Sequence, residues 1–261
     1  SLKILGVKNN DEVIVPTLTF IAPINCVKYI GASPIFFDCD EYHNINTFDV
    51  INFLENNTFF SKGFTYNLKT KKRISAIIIT HVWGNAANLE KLIPQLKQCN
   101  IKILEDASES LGSKYIKGSF KDKHTGTIGD VGCFSFNGNK IITTGAGGMI
   151  LTNNKELSKK ALYLTTQAKD NLKLFIHNEI GFNYRMPNIN AALGVGQLET
   201  LNKCLAKKKL INNTYKKLLN NNKNINLMNA PKYSSNNFWM NVVVFNQNYK
   251  INLLSIIKKL E

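Results

Sequence analysis

Lys140 is the residue whose neighbours best suit it to covalent chemistry. It stands between Ser135-Phe136-Asn137-Gly138-Asn139 and the glycine-rich run Ile141-Ile142-Thr143-Thr144-Gly145-Ala146-Gly147-Gly148. A lysine amine attacks a carbonyl carbon only when deprotonated, which calls for a desolvated or cationic pocket that lowers its pKa. Surface lysines rarely meet that condition, and a solvated cation is the plain alternative for Lys140. Short motifs match by chance often enough that a second group is needed.

Asp106 supplies that second group. The segment Ile101-Lys102-Ile103-Leu104-Glu105-Asp106-Ala107-Ser108-Glu109-Ser110-Leu111-Gly112 begins as an apolar, β-branched run and ends in a carboxylate, which sets Asp106 at the C-terminal edge of a strand. In open α/β sheets ligands bind outside that edge. The alternative is an N-cap for a following helix. An amine and a strand-end carboxylate together match what pyridoxal phosphate (PLP) requires: a Schiff-base partner for its aldehyde and an anion that keeps its ring nitrogen protonated. His81, in Thr80-His81-Val82-Trp83-Gly84-Asn85, follows another buried strand and so reaches the same edge. It is a candidate for substrate contact or for tuning the site, with a hydrogen-bonded loop histidine as the alternative. His43, His124 and His177 are too dispersed for a metal site, and no zinc-ligand spacing is present.

Four blocks in order carry a resemblance to a known family: Asp11-Glu12-Val13-Ile14-Val15-Pro16-Thr17-Leu18-Thr19-Phe20, Glu105 to Gly112, Gly129-Asp130-Val131-Gly132-Cys133-Phe134-Ser135-Phe136-Asn137-Gly138-Asn139-Lys140, and Gly181-Phe182-Asn183-Tyr184-Arg185-Met186-Pro187-Asn188-Ile189-Asn190-Ala191-Ala192-Leu193-Gly194. From Gly6 to about Trp239 the chain resembles the DegT/DnrJ sugar aminotransferases, PLP enzymes of fold type I. The resemblance implies an α/β, aspartate-aminotransferase-like fold: a three-layer large domain with a mostly parallel sheet over residues 1–205, and the beginning of a small C-terminal α+β domain over 206–261. Lys140 resembles the lysine that bonds the cofactor and moves the proton between donor and cofactor carbons. Asp106 resembles the partner of the ring nitrogen, and Glu109 falls where the family sets a polar side chain near the ring oxygen. Phe20 resembles the aromatic that stacks on the ring, with core packing beside Ile21 as its alternative. Ser135 resembles a hydroxyl donor to the cofactor phosphate, and Asn183 an amide given to that phosphate by the opposite subunit of a homodimer. Arg185 serves either a substrate or donor carboxylate or the subunit interface.

The implied reaction is transfer of an amino group from an amino acid, glutamate by resemblance, to the 4-keto carbon of a nucleotide-linked sugar for surface-glycan or glycoprotein synthesis. Pro16 to Asn25 and Ser135 to Lys140 look most like the branch using UDP-linked 4-keto-6-deoxy-N-acetylhexosamine, the bacillosamine and legionaminic acid type. The alternatives are a PLP- or PMP-dependent sugar dehydratase of the same family, in which the lysine position is typically His, and an inactive, dimerising relative. Family members begin with a Gly-Thr/Ser-Ala loop whose amides cradle the phosphate. This chain starts at Ser1, inside or just after the helix that follows such a loop, and stops short of the usual small domain, so it is expected to be a fragment of a longer protein.

Composition agrees with a globular enzyme. The 261 residues are 44% hydrophobic, enough for a substantial core. Nothing near Ser1 resembles a signal peptide and no apolar run approaches the ~18 residues of a membrane span, so a cytoplasmic location without membrane partners is expected. Cys26, Cys39, Cys99, Cys133 and Cys204 are odd in number and without a Cys-x-x-Cys pair, reading as reduced, mostly packed thiols. The formal charge of +15 raises nucleic-acid binding. Its lysines are scattered, however, and the densest, Lys207-Lys208-Lys209 and Lys216-Lys217, sit among asparagines, which indicates compositional bias and a solvated helix face rather than a nucleic-acid partner.

The elements that must position the site alternate as a doubly wound domain does. Val13-Ile14-Val15, Pro34 to Phe37, Ala76 to Ile79 and Ile103-Leu104 read as strands. Thr19 to Tyr29 and Thr47 to Leu54 read as helices, with Thr47 as a candidate N-cap. Asn88 is placed to cap a helix whose Leu89, Leu92, Ile93 and Leu96 make one apolar face. After Lys140, Gly147 to Thr152 reads as a strand, Lys155 to Leu164 as a helix, and Asn188 to Leu219 as a long helical stretch broken off at Asn220 to Asn224. Trp239 to Phe245 is expected to begin the small domain.

Overall fold

The computed structural model describes residues 1–171, 173–246 and 252–260; residues 247–251 and 261 of the expected second domain lie outside the described residues. In chain order the elements are β1 (Glu12–Pro16), α1 (Ile21–Tyr29), β2 (Ser33–Phe37), α2 (Thr47–Asn56), β3 (Thr58–Ser61), β4 (Phe64–Asn67), β5 (Arg73–Thr80), α3 (Leu92–Gln98), β6 (Lys102–Asp106), β7 (Lys114–Tyr115), β8 (Val131–Ser135), β9 (Gly148–Leu151), α4 (Lys155–Thr165), α5 (Asn188–Glu199), α6 (Leu201–Leu219), β10 (Ile225–Leu227), β11 (Ser234–Ser235), β12 (Val243–Phe245) and α7 (Leu253–Leu260). The main sheet runs β2-β1-β5-β6-β8-β9. Its first four pairings are parallel, and β9 closes the edge antiparallel to β8. This is the expected α/β architecture with a mostly parallel sheet.

The strands read as near-continuous apolar runs because both faces are covered. Along β5, Ile77 and Ile79 face a core with Ile14, Ile103, Leu54 of α2 and Leu92 and Leu96 of α3. Ala76 and Ile78 face the opposite core, with Val13, Val15, Leu104, Val131 and Val27 of α1. The period of two thus divides one strand between two cores and yields three layers.

Several boundaries differ from expectation for local reasons. The cap of α2 is Asn46, whose Oδ1 accepts from the Phe48 N–H at 3.1 Å and the Asp49 N–H at 3.4 Å; Thr47 already lies inside the helix. Asn88 caps nothing, because α3 starts at Leu92. A start near Leu89 would put Pro94 in the helix interior, where its missing N–H and its ring break the bond to the fourth residue back. Pro23 acts likewise in α1, which begins at Ile21 rather than Thr19. The long stretch from Asn188 is two helices parted at Thr200, whose hydroxyl bonds back to the Gln197 carbonyl at 2.9 Å. α6 then runs unbroken across residue 205, the expected domain boundary. No strand was expected at β3 or β4, which form a hairpin joined to the start of β5. Among the described residues no helix is long and apolar enough to cross a membrane.

Candidate active site

The sheet register gathers the chemistry at one edge. Thr80 of β5 is opposite Asp106, Asp106 is opposite Cys133 of β8, and Ser135 at the end of β8 is opposite Gly148. The ends of three parallel strands therefore lie side by side where an open α/β sheet binds its ligand. No helix follows Asp106, so it caps none. Its Oδ1 accepts from the Ser108 N–H at 3.1 Å and from the Ser108 hydroxyl, which fixes the carboxylate at the strand tip.

Lys140 projects from the loop after β8, half-buried. Burial lowers its amine below the ordinary lysine range, against the opposing pull of Glu109 and Asp106. Glu109 is shifted the other way: burial raises it, opposed by the Trp83 amide and by Lys140, with Asp106 adding to the rise. Its Oε2 accepts from the Trp83 N–H at 2.8 Å. Lys140, Asp106 and Glu109 thus form one electrostatic cluster. Glu109 also lines a cavity of about 170 Å³ with Leu18, Thr19, Phe20, Val82 and Trp83. Asp106 lines a larger, apolar one of about 370 Å³, between α1, Cys133 and α4. Phe20, at the rim of the first, is 73% exposed; it is not core, and its ring is available to stack on a ligand.

His81 is not turned toward this space. It is fully buried, with Nε2 2.8 Å from Glu105 Oε2 and Nδ1 accepting from the Ala87 N–H at 3.1 Å. Both ring nitrogens are occupied, so the substrate contact considered for it gives way to a structural role. Its partner Glu105, buried beside Asp106 on β6, also accepts from the N–H groups of Gly126 at 2.9 Å, Ile128 at 2.6 Å and Gly129 at 2.5 Å. Burial pushes the Glu105 carboxyl up, but the His81 hydrogen bond and the amides of Gly129 and Gly126 outweigh it and hold it below its ordinary value.

Ser135 sits at the tip of β8, where its Oγ accepts from the Asn137 N–H at 3.4 Å. Asn183 and Arg185 lie outside the cluster on the exposed stretch after α4, where Asn183 bridges to Thr166. The sequence profile of the DegT/DnrJ/EryC1/StrS aminotransferase family matches residues 1–261. The chain belongs to this family. Among relatives it is 40% identical over 220 residues to the GDP-perosamine synthase of Escherichia coli O157:H7, covering 84% of this chain and 55% of that protein. It is 32% identical over 215 residues to the UDP-4-amino-4,6-dideoxy-N-acetyl-beta-L-altrosamine transaminase of Campylobacter jejuni strain 81-176, covering 82% and 52%. A DegT/DnrJ/EryC1/StrS aminotransferase from Brucella abortus shares the fold, with a TM-score of 0.81 at 23% identity over 94% of this chain and 62% of that one. The chain therefore spans little more than half the length of these relatives.

Aminotransferases of the DegT/DnrJ/EryC1/StrS family depend on PLP, and the donor set fits that cofactor: a half-buried amine with lowered pKa, a carboxylate at a strand tip, an exposed aromatic face and a hydroxyl one strand away. Two contributors had no role in the sequence reading. Glu105 had a signal, since it shares a face with Ile103 in a buried strand and a carboxylate there demands partners. Trp239, whose ring lies over Lys140, had none, because nothing local ties it to a residue so far back in the chain.

Proposed function

We propose that the protein is a PLP-dependent aminotransferase that moves an amino group from an amino acid, glutamate by resemblance, to the 4-keto carbon of a nucleotide-linked sugar. The observation that carries this is the cluster of a burial-lowered Lys140 amine with Asp106 at one strand edge. When bound, the cofactor supplies an aldehyde for the amine and a protonated ring that accepts electrons. Asp106 provides the anion that keeps the ring nitrogen protonated, Phe20 the stacking face, and Ser135 a hydroxyl for the phosphate. Lys140 Nζ, lowered toward neutrality, accepts and returns the proton. A lysine here favours transamination over the dehydratase alternative.

Greater identity to the GDP-perosamine synthase than to the UDP-sugar transaminase supports a GDP-linked substrate over the UDP-linked N-acetylhexosamine that the sequence motifs suggested. A homodimer is supported by α5, an apolar helix with no buried residue within one chain; Asn183, exposed on the stretch just before it, would then serve the opposite subunit's site. Five free cysteines support a reducing, cytoplasmic setting.

The test uses full-length protein. With PLP it is expected to show a visible absorbance that borohydride bleaches, leaving the cofactor on the peptide containing Lys140; Lys140→Ala should lose both, and with them about a hundred- to ten-thousandfold in turnover. Glutamate and a panel of GDP-, UDP- and dTDP-linked 4-keto sugars should then give an amino sugar, identified by mass spectrometry and NMR. A deoxygenated product would install the dehydratase, and no product from any sugar the inactive relative.

A further inference from the structure

Trp239 is far from Lys140 in the chain and directly over it in space. Lys140 Nζ lies 4.1 Å from the indole centroid, well inside the ~6 Å over which a ring quadrupole attracts a cation. The indole cannot follow the lysine, because it is held from several sides. Its Nε1 donates to the Asn139 carbonyl at 2.7 Å, its backbone N–H donates to Asn237 Oδ1 at 2.9 Å, and its carbonyl accepts from Lys208 Nζ on α6 at 3.3 Å. Asn237 is fixed in turn: its Nδ2 donates to the carbonyls of Glu109 and Leu111, each at 2.9 Å, and its N–H to Ser113 Oγ at 3.0 Å. The buried Trp239 ring is therefore a platform tied to the loop after β6, to α6, and to the residue immediately before Lys140.

We propose that Trp239 is a positioning residue for Lys140: its anchored indole sets where the Nζ rests, and its bond to Asn139 fixes the loop from which the lysine projects. This rests on reading Lys140 as the cofactor-bearing amine. The groups that act on the amine are the Trp239 ring from the C-terminal segment and Glu109 and Asp106 from the edge of β6. All three favour the charged form and burial opposes it. Weakening the ring's negative face alone must lower the pKa of the amine. Deleting the whole side chain would also admit water, which acts in the opposite direction.

The deciding experiment keeps shape, burial and the N–H while drawing electron density from the ring. Tryptophans of increasing ring fluorination are installed at position 239 alone in the full-length protein without cofactor. Acetylation of each lysine is then followed against pH by peptide mass spectrometry. The Lys140 midpoint should fall stepwise, by about half to one pH unit across the series, while other lysines stay in place; a midpoint that is unchanged or rises overturns the proposal. Trp239→Phe, which keeps an apolar cover but lacks the bond to Asn139, should acetylate at Lys140 several-fold faster at fixed pH, and a wild-type rate there would remove the anchoring role. Borohydride trapping of PLP in the same variants separates the two ideas. Trapping on Lys140 without any fluorination effect removes Trp239 alone; a fluorination effect without trapping removes the cofactor reading and leaves the positioning.

Discussion

Glu105 has no contact with solvent, yet it ties together the two halves of the site edge, with His81 after β5 on one side and the 126–129 turn leading into β8 on the other. Because its folded pKa is depressed, the stability it contributes is complete above the unfolded value of 4.5 and is lost as pH falls from there through the folded pKa. Glu105→Gln should cost about 2–4 kcal/mol at neutral pH, since it turns an amide toward backbone donors and leaves some unpaired. It should also flatten the decline in stability below that pH, both read by urea denaturation across pH. An acid limb as steep as wild type would show that Glu105 does not carry the dependence. The place of Asp106 at a strand tip was legible because it closes an apolar run; the roles proposed for it and for Lys140 rest on residue type. Glu105 stood beside Asp106 without a role: its place on the Ile103 face of a buried strand called for partners, but only the fold reveals which groups those are.

At the scale of elements, the strands were legible because runs such as Ile77-Ile78-Ile79 are buried on both faces, whereas helix starts depended on single side chains. Asn46 rather than Thr47 satisfies the first amides of α2; both residue types cap well, so sequence alone does not choose between neighbours. Asn46→Ala should therefore destabilise the protein by about 1 kcal/mol, and Thr47→Ala by much less, in parallel thermal melts. Equal losses would mean the cap is shared. The β3–β4 hairpin escaped because its aromatics, among them the exposed Phe59, Phe60 and Phe64, do not alternate cleanly between a core and a solvent side. Its signal was the turn: Lys62 and Gly63 have φ of 50° and 82°, and a glycine at the second central position of a two-residue turn favours that hairpin geometry.

The whole molecule leaves α5 incomplete. Asn190 Nδ2 donates to the Thr144 carbonyl at 2.5 Å and Gln197 Oε1 accepts from the Thr143 N–H at 3.4 Å, so one side of the helix braces the glycine-rich run after Lys140. Ile189 is 86% and Val195 63% exposed, and Leu198 is exposed with them. Ile189 and Val195, with Ala192 midway between them, share the side turned away from Asn190 and Gln197; exposed apolar surface there marks an interaction surface, and the homodimer proposed above would supply its cover. In the proposed dimer, interface and lysine loop would be opposite sides of one helix, and a change in assembly would reach the proposed cofactor site through α5. Val195→Asp buries an unpaired charge if the face is covered by a second copy. In full-length protein it should convert dimer to monomer in sedimentation velocity and weaken PLP retention by about tenfold or more. A monomeric wild type would remove the shared site, and with it the role given to Asn183. A variant that stays dimeric would place the subunit contact on some face other than α5.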